Sequence, residues 1–219
     1  GLSLSGESLF ALPLPARGHA ATAHPTRALA VGFARRPGHF ALVIDCALGR
    51  EVARLTPPDG IQFNGHGAFS SDGSTLYTSE QRADTSEGQL GLWETNGWQR
   101  IHEIPTHGIG PHDIRRLPYS DDLLVANGGI ATDPTDRTKL NTASMRPNLA
   151  RITPEGALVN LAELPVELAQ NSLRHLALLP DGRAACAMQW EGDSAETPPL
   201  LVLWQDGQLR MCPVPATEA

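Results

Sequence analysis

Four histidines recur along the chain in related surroundings: His19 in GHAATA, His66 in NGHGAF, His112 in GPHDIRR and His175 in LRHLAL. They stand 47, 46 and 63 positions apart. Neutral imidazoles converging on one centre suit zinc, copper or iron, so His19, His66, His112 and His175 are candidate ligands of a transition metal. A carboxylate, Glu80 or Glu191, would complete the shell or orient an imidazole from behind. Near the position about fourteen residues beyond each histidine the sequence offers Arg35, Glu80, Asn127, Gln189 and Glu191. With Arg174, which directly precedes His175, and Asn141 in the longest loop, these form a candidate ligand-binding set.

Such convergence requires a repeated scaffold. Each histidine opens a short β-rich run, and the turn segments HPTR, SSDG, PYSDD and PDG follow within a few residues. A second β-rich run comes next, then a second hairpin turning at Leu48-Gly49, Asn96-Gly97, Glu155-Gly156 or Asp206-Gly207. Four antiparallel strands in about 40 to 60 residues is the size of a propeller blade. The sequence therefore predicts an all-β fold, a β-propeller forming a single domain over 1–219. Its complete blades span about 19–57, 66–105, 112–165 and 175–214, and residues 7–15 form the outer strand of another blade. Helical periodicity is absent, with a single turn expected near Val166 to Asn171. An open blade would expose an unpaired edge, so either the four blades close or the chain is a fragment of a larger ring.

In a blade, the first strand starts and the second ends on the same face, which puts the histidines at the mouth of the channel. Opposite walls of a wide ring lie too far apart for bonds of about 2.1 Å to one metal. Two adjacent histidines and a carboxylate are thus the expected ligand set. The competing role for the repeat is structural, with each histidine tying neighbouring blades together. His24, His39, His102 and His107 fall outside the repeat and are expected at the surface or in loops. The long loop GGIATDPTDRTKLNTASMR, carrying Asn141, Met145 and Arg146, is expected to fold over the channel. Trp93 and Trp204 recur at one place in their blades and read as packing residues. Arg174 is expected to pair with Glu191 or to bind an anionic ligand.

The chain has 219 residues, 41% hydrophobic and 19% charged, with a net charge of -7. Its basic residues are scattered in sequence, which argues against nucleic acid. No apolar run is long enough to insert in a membrane. Cys46, Cys186 and Cys212 form no metal motif, and Cys46 and Cys186, inside apolar runs, are expected to be buried. The opening GLSLSGES is no signal peptide. Neither a GxSxG elbow nor HExxH occurs, which favours binding over hydrolysis.

Several stretches carry a family resemblance: LPLPARGH (12–19), FARRPGHFALVID (33–45), GHGAFSSDG (65–73), GIGPHDIRRLP (108–118), KLNTASMRPNLA (139–150) and NSLRHLAL (171–178). The chain resembles the bacterial family catalogued as domain of unknown function 1513. That resemblance implies a longer, seven-bladed propeller exported to the periplasm by a twin-arginine signal and encoded near iron-uptake genes. Members continue beyond both ends of this sequence, so the resemblance implies a partial chain. Where members often carry Glu after the GPH histidine, this chain has Asp113. The resulting expectation is a non-enzymatic periplasmic propeller that binds a metal ion, a small ligand or a protein partner, with periplasmic iron-uptake proteins as candidate partners. The alternatives are a metal-dependent oxidoreductase or lyase using the same face, and a scaffold whose histidines only brace the blades.

Overall fold

The structure is a computed structural model describing residues 1–36 and 38–212. Its strands form four antiparallel sheets, each of four consecutive strands in chain order. Blade 1 comprises β1 (Gly18–Ala23), β2 (Leu29–Ala34), β3 (Ala41–Asp45) and β4 (Arg50–Leu55). Blade 2 comprises β5 (Ile61–Phe69), β6 (Thr75–Arg82), β7 (Glu87–Glu94) and β8 (Arg100–Ile109). Blade 3 comprises β9 (Pro111–Arg116), β10 (Leu123–Asn127), β11 (Asn148–Ile152) and β12 (Leu158–Glu163). Blade 4 comprises β13 (Asn171–Leu178), β14 (Ala184–Trp190), β15 (Leu201–Gln205) and β16 (Gln208–Met211). The hairpins turn where the Gly-, Asp- and Pro-rich segments predicted. The end of the expected fourth blade, Pro213 and Val214, lies outside the described residues. Two 3-10 turns, Thr142–Ser144 and Val166–Leu168, are the helical elements among the described residues.

Apolar side chains on the blade faces interlock into three shared layers. One joins blades 1 and 2 around Phe33, Phe63, Leu76 and Trp93. A second joins blades 2 and 3 around Leu90, Ile114, Val125 and Ile152. A third joins blades 3 and 4 around Leu149, Leu173, Val202 and Trp204. Both tryptophans are thus packing residues, as their placement in sequence predicted. Among the described residues no such layer joins blade 4 to blade 1. Blade 1 instead packs Phe40 and Leu42 against Leu12 of the N-terminal segment. That segment differs from expectation. Residues 7–15 form no ladder, and the one local bridge pairs Leu2 with Ser8. Pro13 and Pro15 remove backbone donors from it, so Leu12 covers the blade through its side chain alone.

Two further expectations are corrected. Cys46 is exposed, because β3 ends at Asp45 and the cysteine enters the turn, where Asp45 Oδ1 accepts the amides of Ala47 and Leu48. Cys186 is buried as expected, and burial pushes its thiol up to about 12. His24, expected at the surface, is buried. Its Nδ1 accepts the amides of Thr26 and Arg27, which fixes the proton on Nε2, and Nε2 donates to the Gly73 carbonyl of blade 2 at 3.1 Å. Gly73 has φ +75°, and a Cβ there would sit 2.3 Å from the His24 ring. Only glycine allows this approach.

Burial, followed by repulsion from Arg27, lowers the His24 pKa below its ordinary value. The unfolded chain then binds a proton below about pH 6.5 that the folded chain does not. Stability is expected to be fully present above that pH and to fall as the medium is acidified. His24→Ala should cost about 1–2 kcal/mol at pH 7.5 and flatten the acid-side loss. Denaturant melts of both proteins between pH 5 and 8 check this. An unchanged acid slope in the variant would show that other groups set it.

Candidate metal centre

A local irregularity in the first strand of every blade aims the histidines. In blade 1 the register slips between Gly18 and Ala21, bracketing His19. Blade 2 slips between Phe63 and Gly67, around His66. Blade 3 pairs Ala126 with Asp113 and Asn127 with Pro111, passing over His112. Blade 4 slips between Leu173 and Leu176, around His175. A β-bulge leaves its extra residue outside the ladder and redirects the side chain. It also explains why the inner strands of blades 2 and 4 begin at Ile61 and Asn171, ahead of their histidines. Gly65, at φ +98°, is needed at the blade 2 bulge, since a Cβ there would lie 2.5 Å from His19 Cδ2.

All four rings converge. Neighbouring centroids are 4.9 Å apart for His19–His66, 4.9 Å for His66–His112 and 4.8 Å for His112–His175. The remaining pairs span 5.3 Å to 6.2 Å, His19–His175 being the widest. The expected separation of opposite walls is therefore not what the chain adopts. One ligand atom each from His19, His66 and His112 falls within 4.8 Å of the others, and so do those of His66, Asp113 and His175. Tetrahedral ligation at about 2.05 Å needs donors roughly 3.3 Å apart, so the rings would have to draw together around an ion.

Protonation favours ligation. Burial and the neighbouring imidazoles hold His19 down to about 4. Burial, then Arg174, lowers His112, and burial, then His66, lowers His175. Neutral rings result at neutral pH. In His112 the Arg174 guanidinium, a donor 3.5 Å from Nδ1, places the ring proton on Nε2, and a metal at Nε2 would shift that proton to Nδ1 and displace this long contact. His66 Nδ1 lies 3.2 Å from Asp113 Oδ1, so the carboxylate accepts its proton and leaves the Nε2 lone pair free. That Nε2 is buried and has no hydrogen-bond partner, as is His112 Nε2.

Among the described residues, the expected Glu80 and Glu191 pair with arginines, and the carboxylate that touches the histidine cluster is Asp113. Besides His66 it accepts the amides of Ile114 and, across to blade 4, Leu176, both at 2.9 Å. Burial pushes its carboxyl up, but the bonds from His66 and the nearby Arg115 bring it net below the usual carboxylate range. The backbones of blades 2 and 3 are joined by Ser79, whose Oγ accepts from His66 N and lies 3.1 and 3.4 Å from the His66 and His112 carbonyls. Polar ties between blades run through Asp113, Ser79 and His24, and also through Ser71 to Asp121, Asn127 to Thr106 and Asn148 to His107.

The candidate ligand-binding residues divide in two. Glu80 is fully buried, held by Arg100 (2.7 and 2.9 Å), Thr78 and Gln89 on the blade face. Asn127 is also fully buried and donates to the Thr106 carbonyl and to Asn148 Oδ1. Asn141 secures the long loop through Ala131 and Gly129, and Met145 of that loop is buried. Arg35, Arg174 and Gln189, by contrast, line an open cleft of about 660 Å³ together with His19, His112 and His175. Glu191 stands behind it, pairing with Arg174 at 3.5 Å and with Lys139. The long loop delivers Arg137 and Lys139 to this cleft, and Arg36 reaches it from blade 1. Sequence reasoning missed these three: Arg36 directly follows Arg35 in a short loop, and Arg137 and Lys139 lie within the longest second-to-third-strand loop, whose path the sequence does not fix. His39 and His102 are exposed as expected, and the half-buried His107 lies 3.2 Å from the Gly156 carbonyl.

The fold is that of known propellers. The crystal structure of the β-propeller domain of Myceliophteria thermophila Cps50 (Swd1) superposes with a TM-score of 0.69 at 14% identity, over 96% of this chain and 65% of that one. A protein of unknown function from Bacteroides caccae superposes with a TM-score of 0.56 at 15% identity, over 90% of this chain and 61% of its own. The chain therefore spans less than two thirds of either structure. No curated protein sequence matches it. Residues 12–219 match the family model described as "Protein of unknown function (DUF1513)". The chain belongs to this family. The family's description names no activity, so function has to be argued from the centre itself. Among the described residues no helix is long and apolar enough to cross a membrane.

Proposed function

We propose that this chain belongs to a non-catalytic, metal-binding β-propeller that works in the periplasm, in metal acquisition. It holds one zinc, copper or iron ion at His19, His66, His112 and His175. The observation that carries the reading is His66. Its Nδ1 is engaged by Asp113, while its buried, unpartnered Nε2 belongs to a cluster with three other imidazoles. Burying such a nitrogen with nothing to bond is costly, and a metal removes that cost. Four imidazoles would also complete a tetrahedral shell, the closed arrangement of sites that hold a metal without activating water. The periplasmic setting and the link to iron uptake rest on the resemblance to the family.

Metal analysis of protein purified without a histidine tag tests this. About one transition-metal ion per chain is expected, and none after exposure to zinc, copper or ferrous iron would refute it. Asp113→Asn gives a finer check. An amide cannot accept from both His66 Nδ1 and Leu176 N, so one donor is left unpaired. Metal affinity should fall about 10–100-fold, and stability by about 1–3 kcal/mol. Competition with a fluorescent chelator measures the first and urea denaturation the second. Unchanged affinity would remove Asp113 from its orienting role.

A further inference from the structure

Beside His112 lies a smaller cavity of about 50 Å³ that opens towards the main cleft and is walled by Arg36, Arg137, Lys139 and Arg174. Four cations converge here in a chain whose net charge is -7. Lys139 and Arg174 share one carboxylate, Glu191. Among the described residues, neither Arg36 nor Arg137 has a carboxylate in ion-pair contact. Arg36 Nη1 donates to Thr132 Oγ1 at 3.1 Å, a neutral partner that leaves its charge uncompensated. Burial, reinforced by Arg137 and Arg174, lowers the Arg36 pKa to about 10, still charged at neutral pH.

A second observation points the same way. Asn64, 7% exposed, lines the cavity with both side-chain polar atoms unpartnered. Ser172 Oγ and Arg174 Nε, also on this cavity, are buried without partners. Buried donors of this kind are rare unless a ligand or water satisfies them. Like charges held together in a partly enclosed site call for an anion, and guanidinium groups match the oxygens of carboxylate and phosphate. The cavity admits one such group and excludes a nucleic-acid backbone.

We infer that this cavity binds a single oxyanionic group, the carboxylate or phosphoryl group of a small ligand, held by Arg36, Arg137, Lys139 and Arg174 with Asn64 and Ser172. The site does not require a metal at the histidines. A ligand carrying several such groups would extend from it into the main cleft, past His112 towards His19 and His175.

Isothermal titration of chelator-treated, metal-free protein with inorganic phosphate and, separately, with citrate tests the inference. Saturable binding of at least one is expected, weakening as salt rises. Binding of phosphate alone identifies a phosphoryl ligand, and binding of citrate alone a carboxylate ligand. Arg36→Gln should weaken binding at least tenfold. Lys139→Gln, at an exposed position that folding tolerates, should weaken it several-fold. Glu191→Gln removes the competing carboxylate and should tighten it. Arg183→Gln, which removes an exposed cation paired with Asp181 and absent from the cavity lining, should leave it unchanged; because the protein is metal-free, the anion site is judged separately from the metal centre. Absence of saturable binding by either anion at millimolar concentration would overturn the inference, as would binding indifferent to both Arg36→Gln and Lys139→Gln.

Discussion

A His66→Ala, His112→Ala double variant is expected to lose its transition metal. Structural zinc sites bind with about 10–16 kcal/mol shared over four ligands, or several kcal/mol for each. Removing two should weaken affinity by at least about a thousandfold, enough to empty the site during purification. The two residues occupy the middle of the cluster, with centroids 4.9 Å apart, and each has an unpartnered Nε2. Blade contacts should survive largely intact, because Asp113 still accepts from Leu176 N and Ser79 still joins the neighbouring backbones. Metal-free wild type and the variant should therefore melt within a few degrees of each other. Unchanged metal content together with a strongly lowered melting temperature would instead assign the histidines to bracing.

Glu80→Ala should produce the opposite pattern, a large loss of stability with metal content unchanged. Its carboxylate is fully buried and accepts from both Nη atoms of Arg100, from Gln89 and from Thr78, which in turn accepts from Trp93 Nε1. Deleting it leaves the mostly buried Arg100 guanidinium only the exposed Glu103, 3.6 Å away, a change worth about 3–5 kcal/mol. Domains with about 5–15 kcal/mol of total stability lose much of it this way. Glu80→Gln keeps the shape and part of the hydrogen bonding, so it should cost less. Urea denaturation followed by tryptophan fluorescence reads the effect directly, since Trp93 lies against Arg100. A loss below about 1 kcal/mol, or loss of the metal, would show that the pair serves something other than the blade.

The blades were legible in the sequence because their signals are local. The turns SSDG, PYSDD and PDG bracket short apolar runs, and the second hairpins turn on glycine. The histidines were legible because ring geometry gives equal positions in successive blades equal radii. Their tight convergence was not. It depends on bulges that no residue type announces, apart from Gly65 in blade 2. Glu80 was misplaced for a related reason: position in register puts it beside the channel, but it pairs with Arg100 across the intervening strand β7. In sequence Asp113 is only a shorter counterpart of glutamate, yet that reach seats it between His66 and Leu176. The basic residues look scattered along the chain. Arg36, Arg137 and Arg174 meet only because a blade 3 loop folds back over blades 1 and 2, where Thr132 accepts from Arg36 and the Pro134 carbonyl from Gln62.

The imidazole centre is tested most directly by X-ray absorption at the metal edge of untagged, metal-loaded protein. Three or four nitrogen ligands at about 2.0–2.1 Å, with the multiple-scattering pattern of imidazole rings, are the expected result. A shell of oxygen ligands alone, or a chain that retains no metal at all, would contradict it.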